Sequence, residues 1–584
     1  MTTTQPSTAQ PTRPASQLDA ATKKSLDDAI KELASGEKNL AALDASGRAD
    51  LLSSIHSSVA AAAKQWVDAA TAIKGLVSDS QLTGEEWISG PYPVLISALV
   101  LRDTMLALAS GKSPLARKKF GTAPGGRVTI PVLPGSSHEA ILLHGFRGEV
   151  WMPQGVTADA ARAAAGLGSL HPSETGGVGL VLGAGNVTSI PPLDVLYEVF
   201  ANNRVVILKL NPVLNDLLDA YSAALGPLID AGFLRIVLGA GDVGGYLAQH
   251  PGISHVHMTG SAVTHDAIVW GPVAGRAALK AANTPLLAKP ITSELGGVSP
   301  IIIVPGKWSK ADLKFQAEHV ATQRLHNGGY NCIAGQLVVL SPDWAQKDAF
   351  LAELKSALDR APVRPAWYPG SDDRVSAAEK AYPDATRLGE GTRLLIEVAA
   401  EDDASTIQTT ECFSPVLGVI EVPGTGIEFL KAAVETANRD LLGTLGANIL
   451  IDPATKKSLG AAFMEQVAEL RYGTVAINTW TGFGYLTAAA PWGGFPGATL
   501  ADVESGIGVV HNALLIDSPE RSVVYGPFRP FPRSIGGGEF ALFPKPPWFV
   551  TARSAATTGR RLVGFASKPS WLKMPAVFGS AFRA

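Results

Sequence analysis

The stretch GVGLVLGAG, residues 177–185, is a short aliphatic run bounded by glycines, and the fold of the chain can be worked out from it. Its length and its glycine borders suit a buried strand better than a helix. Comparable runs follow at RVVILKL (204–210), LRIVLG (234–239) and HVHMTGS (255–261). Between them lie helix-patterned stretches such as PLDVLYEVFANN and NDLLDAYSAALGPLIDAG. Strands alternating with helices make βαβ units, hence a parallel sheet covered on both faces. A second series repeats the pattern: SPIIIVPG (299–306), QLVVLS (336–341), SPVLGVIEV (414–422), TLGANILI (444–451) and GTVAINT (473–479). The expected fold class is α/β, with two tandem parallel-sheet domains, the first Rossmann-like.

Residues 18–110 carry Ala- and Leu-rich patterns with apolar residues every three to four positions, which predicts helices. RVTIPVLPG and AILLHGFRGEVWM alternate like two strands, with PGSS as the turn between them. The chain then divides into a polar tail (1–17), a first domain (18–295) that includes the helices and a hairpin near 127–152, and a second domain (296–480). A return to the region of the first domain (481–525) and a C-terminal arm (526–584) complete it.

The 584 residues are 46% hydrophobic, ample for more than one core. A formal charge of −3 carries no signature of nucleic-acid binding. The two cysteines, Cys332 and Cys412, have dissimilar surroundings, so a reducing, cytoplasmic setting is expected rather than a disulfide framework. The opening MTTTQPSTAQPTRPASQ has no apolar core and reads as a disordered tail, not a secretory signal. No run of 18 strongly apolar residues is evident, so the expectation is a soluble protein, or one attached at most to a membrane surface. Residues 526–584 are the outlier, with nine basic residues against one acid, Glu539, which leaves about −11 on the remainder. Rich in Pro, Trp and Phe and poor in periodic pattern, this arm reads as an extended segment wrapped over an acidic body or a sister subunit. A peripheral contact with an anionic membrane or another acidic partner is the sharper alternative.

Gly239, Gly241 and Gly244 have the G-x-G-x-x-G spacing of a dinucleotide loop after a strand. Glycine is abundant here and no ribose-binding acid sits at the right distance, so a strand-to-helix turn is the better reading. More telling is a series of weak motifs in a fixed order. Asn186 lies in GAGNVTSIPP, Lys209 in VVILKLNP, Gly260 and Ser261 in HMTGS, and Glu294 with Leu295 in SELGGVSP. Cys332 follows in HNGGYNCIAGQ, Glu411 and Phe413 in TTECFSP, Asn478 in GTVAINT, and Gly493-Gly494 in PWGGFPG. The order and spacing, with 23 positions from Asn186 to Lys209 and 38 from Glu294 to Cys332, resemble the aldehyde dehydrogenase superfamily over roughly residues 20–525.

The resemblance implies a cofactor domain, a catalytic domain and a small β oligomerisation element, with a homodimer or homotetramer as the assembly. It implies Cys332 as the nucleophile toward an aldehyde carbonyl, and Asn186 with the Cys332 backbone N–H as donors to the oxyanion. Glu294 becomes the general base that activates water against a Cys332 thioester. It further implies NAD or NADP as cofactor, with Lys209 at the adenosine ribose, Gly260 and Ser261 at the pyrophosphate, and Glu411, Phe413 and Leu295 at the nicotinamide end. Trp480, Phe483, Tyr485 and Trp492 fall where the family lines its aldehyde tunnel, which favours an apolar or aromatic substrate. No metal is expected, and Cys412 reads as structural.

The pattern departs from the family in places. Gly185 replaces the usual Pro-Trp before the oxyanion asparagine, His265 stands where a third glycine is frequent, and Pro212 stands where many NAD-preferring members carry a glutamate. Loss of that carboxylate removes a group that repels a 2′-phosphate, without itself creating affinity for one. Two rival readings stay open: an acylating enzyme that passes the acyl group to coenzyme A, against which Glu294 argues, and a non-catalytic nucleotide-binding scaffold that acts through its arm.

Overall fold

The computed structural model describes residues 18–584; the expected polar tail at 1–17 lies outside them. Both α/β series form parallel sheets, as the alternation predicts. The smaller sheet has five strands in the order Leu234–Val237, Val205–Lys209, Val178–Leu182, His255–Gly260, Ile291–Leu295, all parallel. Chain order reverses between Val178–Leu182 and His255–Gly260, which opens a crevice at the carboxyl ends of those two strands. The glycine-rich turn after Leu234–Val237 lies on the edge strand, away from that crevice, and leads into the helix Gly241–Gln249. Gly239 has φ 146°, and a Cβ there would meet Val243 at 2.3 Å, so this glycine serves a strand-to-helix turn.

The larger sheet has eleven strands. Its parallel centre runs Arg521–Tyr525, Thr474–Ile477, Gly446–Leu450, Pro300–Ile303, Leu337–Leu340, Val416–Glu421 and Arg393–Val398. Apolar runs such as IIIV and LVVL suit it because both faces are covered. Two expectations need correction here. The strands Arg127–Leu133 and Arg147–Trp151 do not belong with residues 18–295: they extend the larger sheet, with Arg147–Trp151 antiparallel to Arg521–Tyr525. That pairing satisfies an edge that would otherwise expose its backbone N–H and C=O groups. These strands are thus paired within their own chain. AILLHG is not part of a strand either. Ser136 accepts the Glu139 N–H at 3.2 Å and caps the helix Ser137–Leu142, a local hydrogen bond that outweighs the short alternation.

The N-terminal helices Ala20–Ala42, Ala45–Ile73 and Pro91–Ala109 pack on the smaller sheet in one core with Trp66, Leu95 and Met105. Thr83–Ala109 is long and apolar enough to cross a membrane by composition; much of it is buried in this core instead.

The C-terminal arm also departs from expectation. It is not extended throughout but contains the helices Ala555–Ser567 and Met574–Ala581. Phe528, Trp548, Phe549 and Ala552 are buried against the body. Its basic residues meet acids of the body, as the wrapped-arm reading foresees: Arg529 (3.1 Å) and Arg533 pair with Asp312, and Lys545 with Glu318 at 3.0 Å.

Candidate active site

Several chemistry-bearing residues meet at the carboxyl edge of the smaller sheet. Asn186 follows the strand Val178–Leu182, Lys209 ends Val205–Lys209, Gly260 ends His255–Gly260, and Glu294 and Leu295 end Ile291–Leu295. Lys209 and Glu294 lie on strands three places apart, roughly 14 Å at about 4.8 Å per strand, so the edge is elongated. Burial pulls the Lys209 ammonium down to about 8, with Asp242 opposing. Ser261 caps the helix Ala262–Trp270, accepting the Thr264 N–H at 3.2 Å, and residues 260–264 are exposed. His265 is fully buried behind that turn, 3.4 Å from Asp266, and Pro212 opens the short helix Pro212–Leu217.

Cys332 arrives from the other domain. After the helix Lys310–Leu325 the chain reverses through Asn327, Gly328 and Gly329, with φ of 55°, 73° and 83°. The reversal is braced from within. The Asn327 amide donates to the Asn186 carbonyl at 2.9 Å and to Asn331 Oδ1 at 3.1 Å; its N–H reaches Glu85 Oε2 at 2.9 Å, and its Oδ1 accepts Lys74 Nζ at 2.8 Å. Lys74 pairs with Glu86 at 2.8 Å, and Arg364 with Glu85 at 2.7 Å. Buried Arg324 donates to the carbonyls of Gly329, Ala334 and Ser414. The Asn186 amide donates to the Tyr330 carbonyl at 2.8 Å, which ties the two domains together two residues from Cys332 and leaves its second N–H.

The Cys332 thiol lies against the Glu294 carboxyl and its own backbone N–H. Burial, then the negative neighbours Glu294 and Glu411, raise the thiol well above its ordinary range, so the resting sulfur is protonated. Burial pushes Glu294 up to about 7, against hydrogen bonds from Cys332 and Trp492; Trp492 Nε1 donates to Glu294 Oε1 at 3.0 Å. Glu411 is pushed up to about 8 by burial and by Glu294. Its Oε1 is buried without a hydrogen-bond partner beside Gly296, where a Cβ would come within 1.9 Å of it. An orphaned carboxyl oxygen of this kind fits a hydroxyl-bearing ligand. Phe413 borders it, with Tyr368 and Tyr330 ring centroids at 5.0 and 6.0 Å, while Leu295 is buried in the core of the smaller sheet.

The four aromatic residues proposed from sequence are also at this place. Trp480, Phe483 and Trp492 form a buried cluster against which Cys332 and Tyr485 pack. Trp480 Nε1 donates to the Ile333 carbonyl at 3.1 Å, and the Tyr485 hydroxyl is 2.6 Å from Ser189. Cys412 is buried and hydrogen-bonded through its N–H to Gln336, and both cysteines are free. Sequence reasoning missed Asn327, Lys74, Glu85, Glu86 and Arg324. Asn-Gly-Gly at 327–329 is a visible left-handed signal, whereas nothing local in the sequence marks the buried ions of the N-terminal helices.

Residues 212–373 match the Aldehyde dehydrogenase family. Betaine aldehyde dehydrogenase 2 of Rhizobium meliloti (strain 1021) is 27% identical over 306 residues, 49% of this chain and 55% of that protein. The chain thus spans about half the length of this curated relative. Among solved structures, an NADP-dependent glyceraldehyde-3-phosphate dehydrogenase from Bacillus halodurans C-125, complexed with NADP, matches with TM-score 0.56 and 19% identity, covering 86% of this chain and 91% of its own. An indole-3-acetaldehyde dehydrogenase complexed with NAD+ matches with TM-score 0.55 and 18% identity over 86% and 88%. At these identities the structural likenesses establish the fold.

Proposed function

We propose that the chain oxidises an apolar or aromatic aldehyde to its carboxylic acid with NAD or NADP. The observation that carries this reading is the half-buried Cys332 thiol set against Glu294, a carboxyl poised near neutral pH. Such a base titrates where it is useful, part ionised and part protonated at the working pH. Sγ adds to the aldehyde carbon as its proton passes to Glu294. The Cys332 backbone N–H and the Asn186 amide face the negative oxygen that forms; one such donor is typically worth about 2.7–4 kcal/mol of barrier. Once the adduct is oxidised to a thioester and Glu294 has released the thiol proton to solvent, Glu294 takes a proton from the attacking water, the acid departs, and that proton returns to sulfur to restore the thiol. A bound nicotinamide supplies the hydride acceptor. Lys209 and the open helix end at Ser261 would hold its dinucleotide, and Glu411 would accept from its ribose, with Phe413 and Leu295 behind. Trp480, Phe483, Tyr485 and Trp492 give the substrate side an apolar wall.

The test is absorbance at 340 nm with NAD or NADP and a panel of medium-chain and aromatic aldehydes, without coenzyme A. Steady turnover that Cys332→Ala abolishes supports the hydrolytic enzyme. Turnover only with coenzyme A would favour the acylating alternative, and nucleotide binding with no reduction under any condition would favour the scaffold. Two free thiols fit a reducing, cytoplasmic setting, and light scattering would read the proposed homo-oligomer. At the arm, exposed Trp571 and Leu572 stand with exposed Lys568 and Arg583. This favours a peripheral contact with an anionic membrane, to be read by co-sedimentation with anionic vesicles against neutral ones.

A further inference from the structure

The C-terminal arm crosses the substrate side of the molecule as a strap. Its Val550 N–H donates to Thr322 Oγ1 on the helix Lys310–Leu325 at 3.3 Å, and the Val550 carbonyl accepts Gln81 Nε2 at 2.7 Å. Ala555 then packs on Gly84 so closely that a Cβ on that glycine would come within 2.4 Å of it. The inner face of the strap is apolar. Trp548, Phe549, Ala552 and Ala555 belong to the same buried cluster as Trp480, Phe483 and Trp492, against which Cys332 packs. The Trp548 ring lies 5.4 Å from that of Phe483, and Phe549 stacks on Phe315 at 5.4 Å and on His319 at 5.3 Å. Under the strap is a cavity of about 20 Å³, bordered by Phe146, Phe315, His319, Thr479, Trp548 and Phe549. It has room for one water or one terminal group of a ligand. Two polar atoms of its border, Trp548 Nε1 and Thr479 Oγ1, are buried without a hydrogen-bond partner among the described residues. Thr479 directly precedes Trp480, whose indole donates to the carbonyl of Ile333, the residue after Cys332. Buried polar atoms are normally paired, and an N–H together with a hydroxyl suits one uncharged oxygen. No residue around the cavity carries a charge, because burial pulls the His319 imidazole down to about 3.

We propose that Trp548 of the arm, with Thr479 of the body, determines specificity by forming the outer end of the aldehyde pocket. The inference rests on Cys332 being the nucleophile of an aldehyde oxidation. The class of substrate is an apolar aldehyde of limited length that carries one uncharged oxygen at the end remote from the carbonyl. Its apolar body lies along Trp480 and Phe483, and its far oxygen accepts the Trp548 indole N–H beside the Thr479 hydroxyl. A longer chain meets the strap, which is pinned to both of its neighbours. A carboxylate at the far end would lose its water without gaining a cation, so charged semialdehydes are excluded. An aldehyde with no far oxygen leaves the two polar atoms unpaired, and such a site discriminates against it.

The test compares kcat/KM at 340 nm for straight-chain aldehydes of rising length, each with and without a terminal hydroxyl and all too long to cyclise. The native protein should favour the hydroxylated member at one length and lose activity beyond it. Trp548→Phe keeps an aromatic ring and deletes the N–H, so the preference for the hydroxyl should fall by about tenfold, through KM rather than kcat. Trp548→Ala opens the end wall, so the best length should move to longer chains. Thr479→Val removes an unpaired hydroxyl at nearly constant shape and should lower the same preference even where the Trp548 variants do not fold. A hydroxyl preference that is absent in the native protein, or unchanged in both Trp548→Phe and Thr479→Val, overturns the assignment, and so does an unmoved length limit in Trp548→Ala. These results leave aldehyde oxidation standing. No reduction of cofactor by the native protein with any aldehyde overturns the oxidation itself, and this inference with it.

Discussion

Two kinds of buried charge meet at Cys332, and they differ in how they are paired. On the side of the N-terminal helices, Lys74, Glu86, Glu85 and Arg364 are buried with opposite charges at 2.7–2.8 Å. On the crevice side, buried Glu294 and half-buried Glu411 make no ion pair among the described residues, and both are displaced toward neutral pH. A paired buried ion holds a backbone in place, and breaking one partner is costly. A buried carboxyl left without a countercharge keeps its proton near neutrality and can exchange it. The same helical layer that fixes the Cys332 turn thus stays electrostatically inert, while the crevice wall stays reactive.

The largest effects should fall on the reactive side. Cys332→Ala removes the proposed nucleophile and should bring aldehyde oxidation to background, measured at 340 nm, with the fold intact by circular dichroism. Retained activity would move the nucleophile elsewhere. Glu294→Gln keeps the hydrogen bond from Trp492 but removes the base. Turnover should fall by roughly 10²–10⁴-fold, and the burst of reduced cofactor in rapid mixing should slow with it, because Glu294 serves both steps. A native burst followed by slow turnover would assign Glu294 to hydrolysis alone.

On the braced side the readout should be stability. Lys74→Met strands Glu86 and drops the Asn327 contact, and should cost about 3–5 kcal/mol in chemical denaturation. Lys74→Met with Glu86→Leu should cost less than the single change, because no charge is then left buried alone. If the double variant is the weaker of the two, the pair is not what steadies the turn.

The sequence made the reactive side more legible than the braced side, for a physical reason. Cys332, Glu294, Asn186 and Glu411 each lie in a weak motif, and only the order and spacing of the series, through the family it resembles, singles them out. The parallel sheets were legible too, because strands covered on both faces read as aliphatic runs. Lys74 and Glu86 are twelve positions apart within helical sequence, and only packing reveals that they are buried under a turn 253 residues from Lys74. The hairpin was misplaced because alternation shows that a strand exists and not which edge it joins. The arm reads as extended because its Pro and aromatic residues hide the amphipathic helix Ala555–Ser567, which only the body completes.

The smallest effect is the sharpest test of the contrast. The base form of Glu294 is the carboxylate, so hydrolysis of a Cys332 thioester should rise with pH through about 7 and then level. Glu411, near 8, is raised by the Glu294 charge, so Glu294 ionises first and Glu411 is still largely protonated along the rising limb. Glu411→Gln removes only the charge that builds late, so the limb should move to lower pH by a small fraction of a unit at most. Aryl-ester hydrolysis without cofactor isolates this shift from any role of Glu411 in holding the ribose. Arg364→Gln, on the paired side, should leave the limb in place and lower stability instead. A limb that moves toward alkaline pH in Glu411→Gln, or that moves as far in Arg364→Gln, would erase the distinction between the two sides, since the braced charges would then be acting on the chemistry.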